Sequence, residues 1–133
     1  MASGLYNCFK NDLLLGDVDL VDDTVKCGLY DNSHAFTATD TAYTTTNELA
    51  TGSGYTRDGK DLAGKAVTGT TTQTWDATDT SWTSASFTAY HAVLYCETNS
   101  DSLICSIDFG GAQTVTSGTF TISWNASGII SLS

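Results

Sequence analysis

Proline is absent from the sequence, which removes proline-rich linkers from consideration and leaves every turn to Gly, Asp, Asn and Ser. Positive charge is scarce as well. Five Lys and Arg stand against fifteen Asp and Glu, for a net charge of −10. Such a chain repels phosphate backbones and anionic membrane surfaces, which argues against nucleic-acid and membrane partners. No apolar run approaches the roughly 20 residues of a transmembrane helix. The start, "MASGLYNCFKND", has no basic segment followed by an apolar one, so no secretory signal is read there, and the sequon at Asn125 is taken as chance. Glutamates number only two, Glu48 and Glu97, and they are not read as a glycosidase-like pair. Histidines are also two, His34 and His91.

What is present points to strands. The 133 residues suit one domain over 1–133, with 41% hydrophobic residues and abundant Thr. A single helical stripe, Leu5, Phe9 and Leu13, follows Ser3 as a candidate N-cap and ends at Gly16, a candidate left-handed C-terminal residue. Beyond it "DVDL" reads as a short strand, Asp22-Asp23 as a turn, and "TVKCGLY" as a strand with Val25, Cys27 and Leu29 on one face. The four aspartates of this stretch lack the glycine and acidic positions of a calcium loop and read as solvated carboxylates. Residues 31–60 are polar and loop-rich, with a helical turn expected at 47–50 and a hairpin signal at Asp58-Gly59. A loop of this length is a candidate contact loop. The glycines of "TGSGYTRDGK" do not have phosphate-loop spacing.

From Asp61 onward strands follow one another. "SASFTAYHAVLYCE" is apolar on both faces and is expected to be central and covered on both sides. Alternation puts Phe87, Ala89, His91, Val93 and Tyr95 on one face, and Thr88, Tyr90, Ala92, Leu94 and Cys96 on the other. Phe120, Ile122 and Trp124 alternate with polar residues in the last long strand. The predicted fold is mainly β, an antiparallel β-sandwich or flattened barrel with one short N-terminal helix.

The four cysteines carry the sharpest questions. A loop centred on Ser100-Asp101 places Cys96 opposite Cys105, so these two are the candidate intrachain disulfide. Cys8 and Cys27 are candidates for a bridge to one another or to another chain, and burial of all four as small hydrophobes is the competing reading. Knuckle-type zinc spacing and a C-x-x-C motif are both absent. No metal or cofactor is expected. His91 and Cys96 differ by an odd number of residues and face apart in a regular strand, which argues against a Cys-His dyad. No catalytic residue is assigned. Trp75, Trp82 and Trp124 leave a carbohydrate-binding β-sandwich module as an alternative of another class.

Three ordered segments carry a resemblance: "LYNCFKNDLLLGDVDLVDDTVKCGLYD", "GSGYTRDGKDL", and "SWTSASFTAYHAVLYCETNSDSLICSIDFGGAQTVTSGTFTISWNASGIISL". Taken in order over nearly the whole chain, they resemble small tailed-bacteriophage virion proteins that decorate or cement capsids. The resemblance implies a structural protein without enzymatic activity, assembled in the host cytoplasm and resident in the virion. Its implied partners are other virion proteins, the major capsid protein first, with a neck, collar or tail position as the alternative. A homo-oligomer is implied, a trimer being favoured because a capsid threefold multiplies weak contacts.

Overall fold

The computed structural model describes residues 3–133. Two antiparallel sheets and one short helix make up a sandwich-like fold, and neither sheet closes into a barrel. The large sheet has the order β1-β7-β6-β2-β3, with β1 at Gly4–Leu5, β2 at Val25–Tyr30, β3 at Lys60–Asp61, β6 at Thr80–Cys96 and β7 at Ser102–Ile122. The small sheet is β4-β5-β8, with β4 at Ala66–Gly69, β5 at Gln73–Asp76 and β8 at Ile130–Leu132.

Helix α1 spans Asn7–Leu15, later than the sequence suggests. Gly4 and Leu5 pair instead with Ser106 and Cys105, and Tyr6 is the N-cap residue in extended conformation. Ser3 is not a cap, because its hydroxyl accepts a hydrogen bond from the Asp108 amide at 2.8 Å. Gly16 ends the helix as expected, in the left-handed conformation at φ 77°. "DVDL" is not a strand. The Asp19 carboxylate accepts from the amides of Val21 at 2.9 Å and Asp22 at 3.0 Å, while Asp23 accepts from the Asp19 amide. Short acidic side chains bond nearby backbone here and hold a turn where alternation alone suggests a strand. Those two amides also lower the Asp19 pKa.

The region 31–60 holds turns rather than a helical turn at 47–50. Asn47 sits at φ 68° inside the turn from Thr45 to Glu48. The two-residue hairpin is at Ser53-Gly54, both at positive φ, where Gly52 and Tyr55 exchange backbone hydrogen bonds. Asp58-Gly59 instead turns the chain into β3.

Strand β6 is central, between β7 and β2, and its C-terminal half is buried on both faces. One face packs Val25, Cys27, Leu29, Ala92, Leu94 and Cys96 with Trp75 of the small sheet and Phe9 of α1. The other packs Tyr30, Val93, Tyr95 and Leu103 with Tyr6, under Phe36 and Tyr43 of the following loop. The alternation expected from Phe87 to Cys96 breaks once. A bulge between Ala89 and His91 puts Phe87 and Ala89 with the first cluster, while Val93 and Tyr95 belong to the second.

Candidate functional site

The hairpin between β6 and β7 decides the cysteine question. Its turn is residues 97–101, with Ser100 at φ 54° and Asp101 at φ 60°. The register pairs Cys96 with Ser102 and Leu94 with Cys105, so the expected Cys96–Cys105 pairing is not made. The cause is the turn, which lies closer to Cys96 than a loop centred on Ser100-Asp101 requires; Ile104, an extra residue bulged between the Tyr95–Leu103 and Leu94–Cys105 pairs, recovers only one position of that offset. The bulge puts Ile104 and Cys105 together in the first core cluster, whereas Leu103 joins the second.

All four cysteines are free thiols. Cys27 and Cys105 flank Leu94 in one row across the sheet. Burial pushes the Cys105 thiol up to about 12 and raises that of Cys27 further. Cys96 is buried and donates to Asp23 Oδ2 at 3.5 Å. Cys8 lies on the opposite side of the large sheet from Cys27, half-buried, 3.2 Å from the Leu103 carbonyl. The expected Cys8–Cys27 pair is therefore not formed either, because the sheet separates the two sulfurs.

A thiolate is the reactive species, and buried protonated thiols react slowly. Titration of native protein with a chromogenic thiol reagent at neutral pH is therefore expected to modify Cys8 first, with the other three released only by denaturant. A total below four in denaturant without reductant, or fast reaction of several thiols in the native state, would contradict this arrangement.

A polar cluster lies beneath the 31–47 loop that sequence spacing does not indicate. The two histidines meet there, with ring centroids 5.0 Å apart. His34 Nε2 and Ser106 Oγ share a hydrogen bond at 3.0 Å, and Tyr6 bonds the same serine. His91 Nδ1 stands 3.9 Å from Asp108 Oδ1. Burial, and then the neighbouring His91, lower the His34 pKa, so its ring stays neutral near pH 7. A cavity of about 560 Å³ opens above, lined by Tyr6, Tyr30, His34, Asp40, Asn47 and Leu103 among others.

A Ser–His hydrogen bond of this length has the reach of a nucleophile and base. Ser106, however, is only 1% exposed, and the rings of Tyr30 and His91 pack against His34. The hydroxyl is enclosed, and the pair ties the loop to β7. Tyr43 continues the same layer by stacking on Tyr95 at 3.8 Å. The aromatic residues of the loop are thus spent on covering the sheet.

A second buried network sits at the edge of strand β2. Tyr55 donates to Glu48 Oε2 at 2.5 Å and accepts from the Leu29 amide at 2.9 Å, while the Asp58 amide donates to the same Glu48 oxygen at 2.8 Å. It pins the 48–58 segment to the sheet. Among the described residues no group of three or more His, Cys, Asp or Glu is placed to hold a metal ion.

The tryptophans are mostly internal. Trp75 and Trp82 are buried, Trp75 donating to the Leu20 carbonyl at 2.8 Å. Trp124 is half-buried and donates to the Thr78 carbonyl at 3.2 Å. The aromatic platform of the carbohydrate-binding alternative therefore reduces to Trp124.

The outer surface divides sharply by charge. Every charged side chain lies at or before Asp108, and residues 109–133 carry none. Most of β7 beyond Asp108 is exposed. β1 pairs with β7 only at Cys105 and Ser106, and among the described residues no strand pairs with the outer edge of residues 111–122. On the β6 side of the same hairpin the edge is occupied, since the Ser86 amide donates to the Ser53 carbonyl at 2.8 Å and Lys60 reaches the Ser81 carbonyl. Helix α1 adds two apolar side chains in solvent, Leu14 at 88% and Leu15 at 66% exposure.

No family model, curated protein or solved structure matches the chain.

Proposed function

We propose that this protein is a non-enzymatic structural component of a tailed-phage virion, a decoration or cement protein bound to the major capsid protein lattice. The observation that carries the reading is the division of the surface. An acidic body bears an uncharged, exposed strand and two solvent-facing leucines, which suits lateral contact with protein. The ordered resemblance of the three quoted segments supports the same reading. So does a core laid on both faces of the central strand, since a cementing module must transmit load without deforming. The acidic body is kept from the packaged genome by its charge. Weak contacts made by each copy are multiplied by repetition over the lattice, a trimer on a threefold being the simplest arrangement.

The test is a particle assembled without this protein. Such particles are expected to form, and to rupture at lower temperature or chelator concentration than complete ones. Equal robustness would remove the cementing role. Labelled protein found only at the neck or tail of complete particles would move its place in the virion.

A further inference from the structure

We propose that the outer edge of β7, at residues 112–116, pairs antiparallel with the same edge of a second copy of this chain. The proposal rests on edge geometry and charge, and stands or falls separately from the virion reading.

An open strand edge presents unpaired N–H and C=O groups, and proteins usually guard such edges with Lys, Pro or an inward charge. Residues 112–116, Ala-Gln-Thr-Val-Thr, have none of these, and four of the five are exposed. The segment is bounded on both sides. Gly110 and Gly111 have φ of 81° and 154°, and Ser117 has φ 46°, so the regular stretch between them defines one register. Charge limits where a second copy can meet the first. Two copies that each carry −10 repel wherever their carboxylates face, and residues 109–133 are the longest stretch on which they can approach without that cost. Antiparallel pairing of identical segments is self-complementary about a two-fold axis. Centred on Thr114, it sets Ala112 against Thr116 of the second copy and Gln113 against Val115. Central Thr pairs suit this geometry. Thr114 already shares a hydrogen bond with Thr88 at 2.9 Å, which holds its side chain on one face of the sheet.

The experiment uses the purified full chain in sedimentation velocity over a range of concentration and salt. A monomer–dimer equilibrium is expected, strengthened as salt screens the repulsion of the acidic bodies. Thr114→Lys and Thr114→Glu each place like charges opposite one another at the axis and are expected to leave only monomer. Their equimolar mixture places Lys opposite Glu and is expected to restore a dimer containing one of each. Circular dichroism and melting temperature of both variants should match the parent, which separates loss of pairing from loss of folding. A parent that stays monomeric at every concentration and salt, a dimer that survives both substitutions, or a mixture that fails to associate would each overturn the proposal. Loss of fold in both variants would shift the same test to the double variants Ala112→Lys with Thr116→Lys and Ala112→Glu with Thr116→Glu, in which like charges meet across the proposed axis, with the same outcomes.

Discussion

Raising the pH above 10 is expected to unfold the protein cooperatively, within about one to two pH units. Burial raises the pKa of Tyr6 to about 12 and raises those of Tyr30, Tyr43, Tyr55 and Tyr95 further. In Tyr55 the hydrogen bond to Glu48 adds to burial. A group whose folded pKa lies above its unfolded value contributes stability that is fully present below the unfolded value. That contribution is lost as pH rises toward the folded one. Here the window opens near pH 10. Five phenols that ionise only on unfolding tilt the balance by about 7 kcal/mol per pH unit, against a total stability of about 5–15 kcal/mol for a domain. The buried thiols of Cys27, Cys96 and Cys105 act in the same direction from near pH 9, since their pKa values are also raised. Phenolate absorbance should therefore rise in one steep step together with loss of the β-sheet circular dichroism signal. Smooth titration of every tyrosine around pH 10 with the fold intact would show that these hydroxyls are not buried as described.

Gly59→Ala is expected to be among the most damaging single-methyl changes in the chain, by about 3 kcal/mol or more. Gly59 has φ 83°, and a Cβ there would stand 2.6 Å from the Cys27 carbonyl carbon and 2.9 Å from the Gly28 Cα, overlapping the Cys27 oxygen. These are backbone atoms of a strand paired on both sides, so no rotamer change relieves the overlap. Gly16→Ala provides the control. Its φ is 77°, yet nothing lies within 4 Å of the added Cβ. Only the left-handed backbone cost of about 1 kcal/mol then applies. Urea unfolding of both variants separates the two contributions. Equal losses at the two positions would mean that the packing of the Gly59 turn on β2 contributes nothing.

Much of the strand layout is legible in the sequence, and the losses have particular causes. The central place of β6 follows from apolar residues on both faces, and β2 from Val25, Cys27 and Leu29. Alternation, however, carries no mark of a bulge. The irregularity near Tyr90 reverses the facing of Phe87 and Ala89, and the position of the hairpin turn sets Cys96 opposite Ser102 rather than Cys105. The first error comes from counting by twos through an irregular stretch, the second from centring the turn on Ser100-Asp101 when the Cys96–Ser102 pair centres it on Asn99. The mutual capping of Asp19 and Asp23 defeats alternation differently, because side chains there replace the ladder partner. The meeting of His34 with His91 and Ser106 is a long-range event set by how the loop folds back, and no local spacing encodes it.

The hairpin of β6 and β7 also bears on how the chain reaches its fold. Its two long strands are joined by a turn of only a few residues, so closing it costs little chain entropy. Strand β1 must instead find Cys105 and Ser106 across most of the chain. The hairpin can therefore organise first, during or soon after synthesis of the C-terminal half. The N-terminal strand and helix arrive late, onto a surface already built. A ribosome-bound chain lacking its last thirty residues keeps only Ser102 and Leu103 of β7, so β6 lacks nearly all of its partner and commitment to the fold waits on nearly complete synthesis.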